Sequence, residues 1–117
     1  MAIQDFVLFM MHSQTNAHLL HLQTRSYAEH KALQHYYEHI DGIIDDYVEA
    51  YQGKYGIVQG YPETYILPNK PLEYMIGVLD YLTQARPELP QDTELLNIID
   101  EMAALLDRTI HKLRFLS

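Results

Sequence analysis

Apolar side chains near the start of the chain fall at Ile3, Phe6, Val7 and Met10, and Ala17 and His21 continue the same stripe. Steps of three and four residues put them on one helix face, which predicts a first helix over about 3–23. Thr24-Arg25-Ser26 breaks the stripe. Ser26 with Glu29 three residues on has the form of a capping box, in which a hydroxyl and a carboxylate satisfy free amides at a helix start. A second helix is therefore predicted over about 27–52. Its stripe reads Leu33, Tyr36, Tyr37, Ile40, Ile43, Ile44, Tyr47, Val48 and Tyr51, and Gly53 and Gly56 mark its end.

Gly53, Gly56, Gly60, Pro62, Pro68 and Pro71 punctuate the next stretch, which has no helical period. So long an irregular connection within a compact domain needs a reason. A crossover supplies it: the second helix is about 40 Å long at ~1.5 Å per residue, and an extended linker can span that length. Pro71 suits a first helical position and opens a third helix over about 72–86 with Leu72, Met75, Ile76, Leu79 and Leu82. Pro87-Glu88-Leu89-Pro90 closes it. A fourth, over 93–115, carries Leu95, Leu96, Ile99, Met102, Leu106, Ile110 and Leu113. The expectation is an all-α four-helix bundle forming a single domain over 1–117. Short, long and short connections point to ferritin-like topology, with the long crossover between helices 2 and 3.

Composition narrows the function. At 117 residues with 48% hydrophobic content the chain can build one core. No apolar run approaches a membrane span, and Met1-Ala-Ile-Gln-Asp-Phe6 lacks the basic start of a secretory signal, so a cytoplasmic site is expected. The absence of Cys excludes disulfides, thiolate metal sites and Cys nucleophiles. Net charge is −8, with eight scattered Lys and Arg. DNA is therefore not an expected partner, and an acidic surface draws cations instead. Neither a phosphate-binding glycine loop nor a hydrolase nucleophile elbow is present.

What remains is a set of histidines and carboxylates. His18 lies about six residues before the first turn and His30 about five after it, so an antiparallel hairpin sets them at similar height. Asp45 and Glu49, at i and i+4, share one helix face. Asp45 is fifteen residues beyond His30, roughly 22 Å along a helix, whereas metal ligands sit within about 2–2.6 Å of one ion. One chain cannot bring all four to a single ion. Two copies with antiparallel second helices can, giving two equivalent sites per homodimer. Imidazole with carboxylate suits iron, and zinc or manganese as other occupants.

Asn16-Ala-His18, Ser26-Tyr-Ala-Glu-His30 and Asp45-Asp-Tyr-Val-Glu49-Ala together resemble the Dps family of miniferritins. The family pattern is a His, a second His twelve residues on, an Asp fifteen further and a Glu four after that. His18, His30, Asp45 and Glu49 satisfy each interval, and the likeness covers about residues 14–53. It implies a ferritin-like subunit of a homodimer or larger cage that binds Fe(II) between subunits and oxidises it with peroxide or oxygen. Two ligands would come from each side. The chain departs from the pattern at Leu19, where many members carry Trp, and it contains no Trp. It also lacks a short helix in the linker and the basic tail that accompanies DNA binding.

Other assignments accompany this one. A metal-free ferritin-like scaffold or interaction module is the alternative, and a metal-dependent helical enzyme acting on a small molecule is a third reading. His21 is expected as a hydrogen-bonded core histidine. His35 with His39, and Asp41 with Asp46, are expected on solvated faces. The helix-two tyrosines and the methionines should fill core. Asp107 and His111 should pair locally near a helix end, and with Glu73 and His18 or His30 they form the rival metal set.

Overall fold

Ser26 opens the longest helix of the molecule. The computed structural model, which describes all 117 residues, contains α1 (Ile3–Gln23), α2 (Tyr27–Tyr55), α3 (Pro71–Ala85) and α4 (Thr93–Phe115), with a 3₁₀ turn at Arg86–Glu88. The bundle is all-α. The Ser26 hydroxyl accepts the Glu29 amide at 3.2 Å, as a capping box requires. The return half of the box differs. Glu29 accepts from the Thr24 hydroxyl at 2.6 Å, and Thr24 Oγ1 accepts the Ser26 amide at 3.1 Å. Thr24 therefore relays between carboxylate and amide and stiffens the α1–α2 turn.

Both ends of the long connection differ from expectation by a residue or more. α2 runs through Gly53 to Tyr55 because its last turn is held from outside. Lys54 pairs with Asp92 at 2.6 Å and Glu94 at 3.3 Å, and the Tyr55 hydroxyl donates to Asp92. Those two bonds hold the Asp92 carboxyl below the usual carboxylate range. Gly56, at φ 97°, then ends the helix in the left-handed region that glycine enters without a Cβ clash. α3 begins on Pro71 and yields to the 3₁₀ turn after Ala85, where Pro87 has no amide to continue the helical ladder.

α1 packs on α2, α2 on α4 and α4 on α3, while α1 and α3 meet along a narrower seam. The C-terminal end of α2 meets the start of α4 through Lys54 and Asp92. Arg86, just past α3, binds Asp100 of α4 through two guanidinium bonds of 2.9 and 3.2 Å. Phe6, Met10, Leu33, Tyr36, Ile40, Met75, Leu82, Ile99, Met102 and Leu105 form the centre of one apolar cluster fed by all four helices. Met1 and Met11 depart from the expected role of the methionines as core filler: both are exposed.

Two polar residues complete the α1 stripe. Ser13 donates to the Met10 carbonyl at 2.6 Å and accepts from the Tyr36 hydroxyl at 2.7 Å. Asn16 reaches the 56–70 segment. Its amide donates to the Ile66 carbonyl at 3.1 Å and to Tyr74 Oη at 3.0 Å, and its Oδ1 accepts the Tyr65 hydroxyl. Residues 65 and 66 are thereby strapped to α1.

Tyr47 is the exception to this satisfied core. Its hydroxyl is buried without a partner, and burial followed by the nearby Tyr51, Asp92 and Tyr55 pushes its pKa up to about 12. A buried hydroxyl without a hydrogen bond costs about 1–3 kcal/mol. Tyr47→Phe is expected to raise stability by about 1 kcal/mol, read as a higher urea midpoint at unchanged m-value. A lower midpoint would show that the hydroxyl has a partner in solution.

Candidate metal centre

The α1–α2 turn brings two histidines into a reciprocal arrangement. His21 Nδ1 donates to the His30 carbonyl at 2.7 Å, and His30 Nδ1 donates to the His21 carbonyl at 2.8 Å. The two rings stack with centroids 3.5 Å apart. A carbonyl can only accept, so each Nδ1 carries the hydrogen and the neutral ring keeps its free lone pair on Nε2. A backbone carbonyl that holds one ring nitrogen in this way orients a histidine whose other nitrogen can bind a metal. His21 is buried and hydrogen-bonded, as its place in the stripe implies, and His30 is half-buried. His18 is exposed; its ring stacks on Tyr37 at 4.2 Å and lies 5.8 Å from that of His21.

Asp45 and Glu49 occupy the outer face of α2 and are both exposed. Hydrogen bonding to the Asp45 carboxylate, reinforced by the charges of Asp45 and Asp46, raises Glu49 above the usual carboxylate range. A raised carboxyl pKa means that the full charge on this face is unfavourable. Its small contribution to stability is present below the unfolded carboxylate pKa and is lost as pH rises through the folded one, opposite in sign to that of Asp92. None of the chain's ion pairs brings a cation to either residue.

The four residues expected as ligands thus lie in two groups. His18 and His30 belong to the turn, and Asp45 and Glu49 lie roughly 22 Å further along α2. No three His, Asp or Glu side chains converge on a common point within the chain. The rival set does not assemble either. Glu73 accepts the Asn69 amide at 3.1 Å, and the His111 ring lies against Phe115 at 5.7 Å. Asp107 and His111 form no ion pair, contrary to expectation, because the histidine turns toward its other i+4 neighbour.

His39 Nδ1 donates to the His35 carbonyl at 2.7 Å, and the rings lie 4.1 Å apart. Burial and then the charges of Lys112, His39 and Arg108 push His35 below the usual imidazole range. This pair caps its own helix surface and faces cations, a poor setting for another positive ion.

The residue that spacing alone understates is His21. Its stripe position reveals burial but not the stack on His30. The signal lay in the near-symmetric placement of His21 and His30 about Thr24-Arg25-Ser26.

The molecule is therefore an all-helical bundle with three of its seven imidazoles, His18, His21 and His30, near one turn and Asp45 and Glu49 unpaired on the outer face of the longest helix. Residues 21–113 match a family of unknown function (DUF5856), and the chain belongs to that family. The matched span holds His21, His30, Asp45 and Glu49, while His18 precedes it. No curated protein and no solved structure matches the chain.

Proposed function

We propose that the chain works as a two-fold homodimer of Dps-like, ferritin-like subunits that binds Fe(II) between copies and oxidises it. The observation that carries this reading is the tautomer at the turn: His30 is oriented by a backbone carbonyl with Nε2 left free. The neighbour order α1–α2–α4–α3 supports ferritin-like topology. So does the 56–70 segment, which leaves α2 beside Asp92 and is tied to Asn16 before α3 begins.

Charge favours the antiparallel pairing of α2 with its copy. Arg25, His30 and Lys31 stand near one end, and Asp41, Asp45, Asp46 and Glu49 toward the other. Two-fold pairing sets unlike ends together. His18 and His30 would then face Asp45 and Glu49 of the partner subunit. Imidazoles would hold Fe(II), and carboxylates would favour the harder Fe(III) product. An external oxidant such as oxygen or peroxide would take the electrons.

Intersubunit complementation tests the reading. The wild type is expected to bind Fe(II) and Zn(II) saturably, one ion per subunit, in anaerobic calorimetry. His18→Ala and Asp45→Ala should each lose that phase. Mixed after unfolding and co-refolding, the two variants should recover one intact site per heterodimer, because its histidines and acids come from the unmutated halves. Loss of binding without recovery would refute a shared site.

A second reading is a ferritin-like scaffold without metal chemistry. It predicts no saturable binding in any of these samples.

A further inference from the structure

Beneath the 56–70 strap, between α1 and α3, lies a cavity of about 390 Å³, within the size range of small-molecule sites. Phe9, Tyr65, Tyr74 and Tyr81 line it with rings, and Asp5 and His12 add polar groups. Phe9 stacks on Tyr81 at 3.7 Å on one side, and the ring of His12 meets that of Tyr65 at 4.5 Å across the gap from α1 to the strap. The wall is organised before any ligand arrives, because Asn16 engages both the Tyr65 and Tyr74 hydroxyls.

Asp5 is different. It is exposed at the first turn of α1, and it takes part in none of the chain's ion pairs. Its charge reaches the cavity: burial first, then Asp5 and Glu88, push the Tyr81 hydroxyl above its ordinary value. No Lys or Arg lines the space, and the chain as a whole carries a net charge of −8. An anion would meet a carboxylate and electron-rich ring faces. A neutral apolar molecule would use the rings and leave Asp5 idle. A cation on an apolar body would use both, since ring faces attract positive charge and the surrounding field raises its local concentration.

We infer that this cavity binds a small organic cation, an ammonium group carried on an apolar or aromatic body. The ammonium lies on the Asp5 side and the body packs among the rings. The site is separate from the histidines and carboxylates of α2, so its fate does not depend on the metal proposal.

Three probes of similar size test it: phenethylamine as its ammonium, neutral 2-phenylethanol and anionic 3-phenylpropionate. Each is titrated into the full chain at neutral pH with a chelator present, by calorimetry and by chemical-shift changes at Tyr65 and Tyr81. The ammonium is expected to bind saturably and at least tenfold more tightly than the alcohol, and the carboxylate not at all. Asp5→Asn should bring the ammonium to the alcohol's affinity with an unchanged helical spectrum, because the Asp5 side chain makes no ion pair within the fold. Tyr65→Ala, on the exposed strap, should weaken ammonium and alcohol together. Equal affinity for ammonium and alcohol, an Asp5→Asn variant that binds like wild type, or no saturable binding of any probe would overturn the proposal.

Discussion

Tyr36→Ala is expected to destabilise the chain by about 3–5 kcal/mol, the range for removing a buried aromatic side chain. Small domains have only about 5–15 kcal/mol in total, so the variant should melt far below wild type. The ring is completely buried between α1 and α2. Its hydroxyl donates to Ser13 Oγ, which donates onward to the Met10 carbonyl. Burial raises the Tyr36 pKa above its ordinary value, which keeps the hydroxyl a neutral donor. That direction of donation sets an order among milder changes. Tyr36→Phe leaves Ser13 still bonded to Met10 and should cost about 1 kcal/mol or less. Ser13→Ala strands a buried tyrosine hydroxyl and should cost about 1–3 kcal/mol. Urea titrations of the three variants check the order. A Tyr36→Phe variant less stable than Ser13→Ala would contradict the assigned chain of donors.

How much of this was legible beforehand depends on what each feature is made of. Each helix carries its own period, and a stripe such as Leu33, Tyr36, Ile40, Ile44 and Tyr47 reports a buried face without knowledge of what covers it. Ser13 and Asn16 stand at core positions of the α1 stripe but read as gaps. Their burial is compensated by partners 23 and 50 residues away, Tyr36 and Ile66. The end of α2 lies beyond local signals for the same reason: Gly53 suggests a stop, whereas Lys54 and Tyr55 are held by Asp92 across the bundle.

The candidate metal residues divide along a similar line. The intervals between His18, His30, Asp45 and Glu49 are properties of the sequence, and helix geometry converts them directly into two groups far apart. The tautomer of His30 is not such a property. It depends on the Thr24–Ser26 turn closing tightly enough for each histidine to reach the other's carbonyl. The cavity under the strap was equally hidden, since its wall joins Asp5 and Phe9 to Tyr65 and Tyr81. No local pattern links those positions.

The second large effect is expected from Asn16→Ala. Asn16 is buried, and its side chain makes every bond that ties Tyr65 and Ile66 to α1 and Tyr74 to both. The substitution strands the Tyr74 hydroxyl, whose pKa burial pushes up to about 12, and releases the Ile66 carbonyl and the more exposed Tyr65 hydroxyl to water. A stranded group costs about 1–3 kcal/mol, toward the low end for half-buried Tyr74, and the groups released to water add about 1 more between them, which gives a loss of about 2–3 kcal/mol. Most of that loss should appear locally, because 56–70 has no helix or strand of its own and can open while the four helices remain packed. A fall of about 2–3 kcal/mol in the cost of opening corresponds to roughly 30- to 150-fold more of the open form. Limited proteolysis should therefore cut Asn16→Ala between residues 56 and 70 at least tenfold faster than wild type, leaving α1–α2 and α3–α4 as paired fragments that still show helical signal. A variant that resists cutting as wild type does and loses less than about 0.5 kcal/mol would mean that the strap is held by its own packing, with Asn16 merely filling space beneath it.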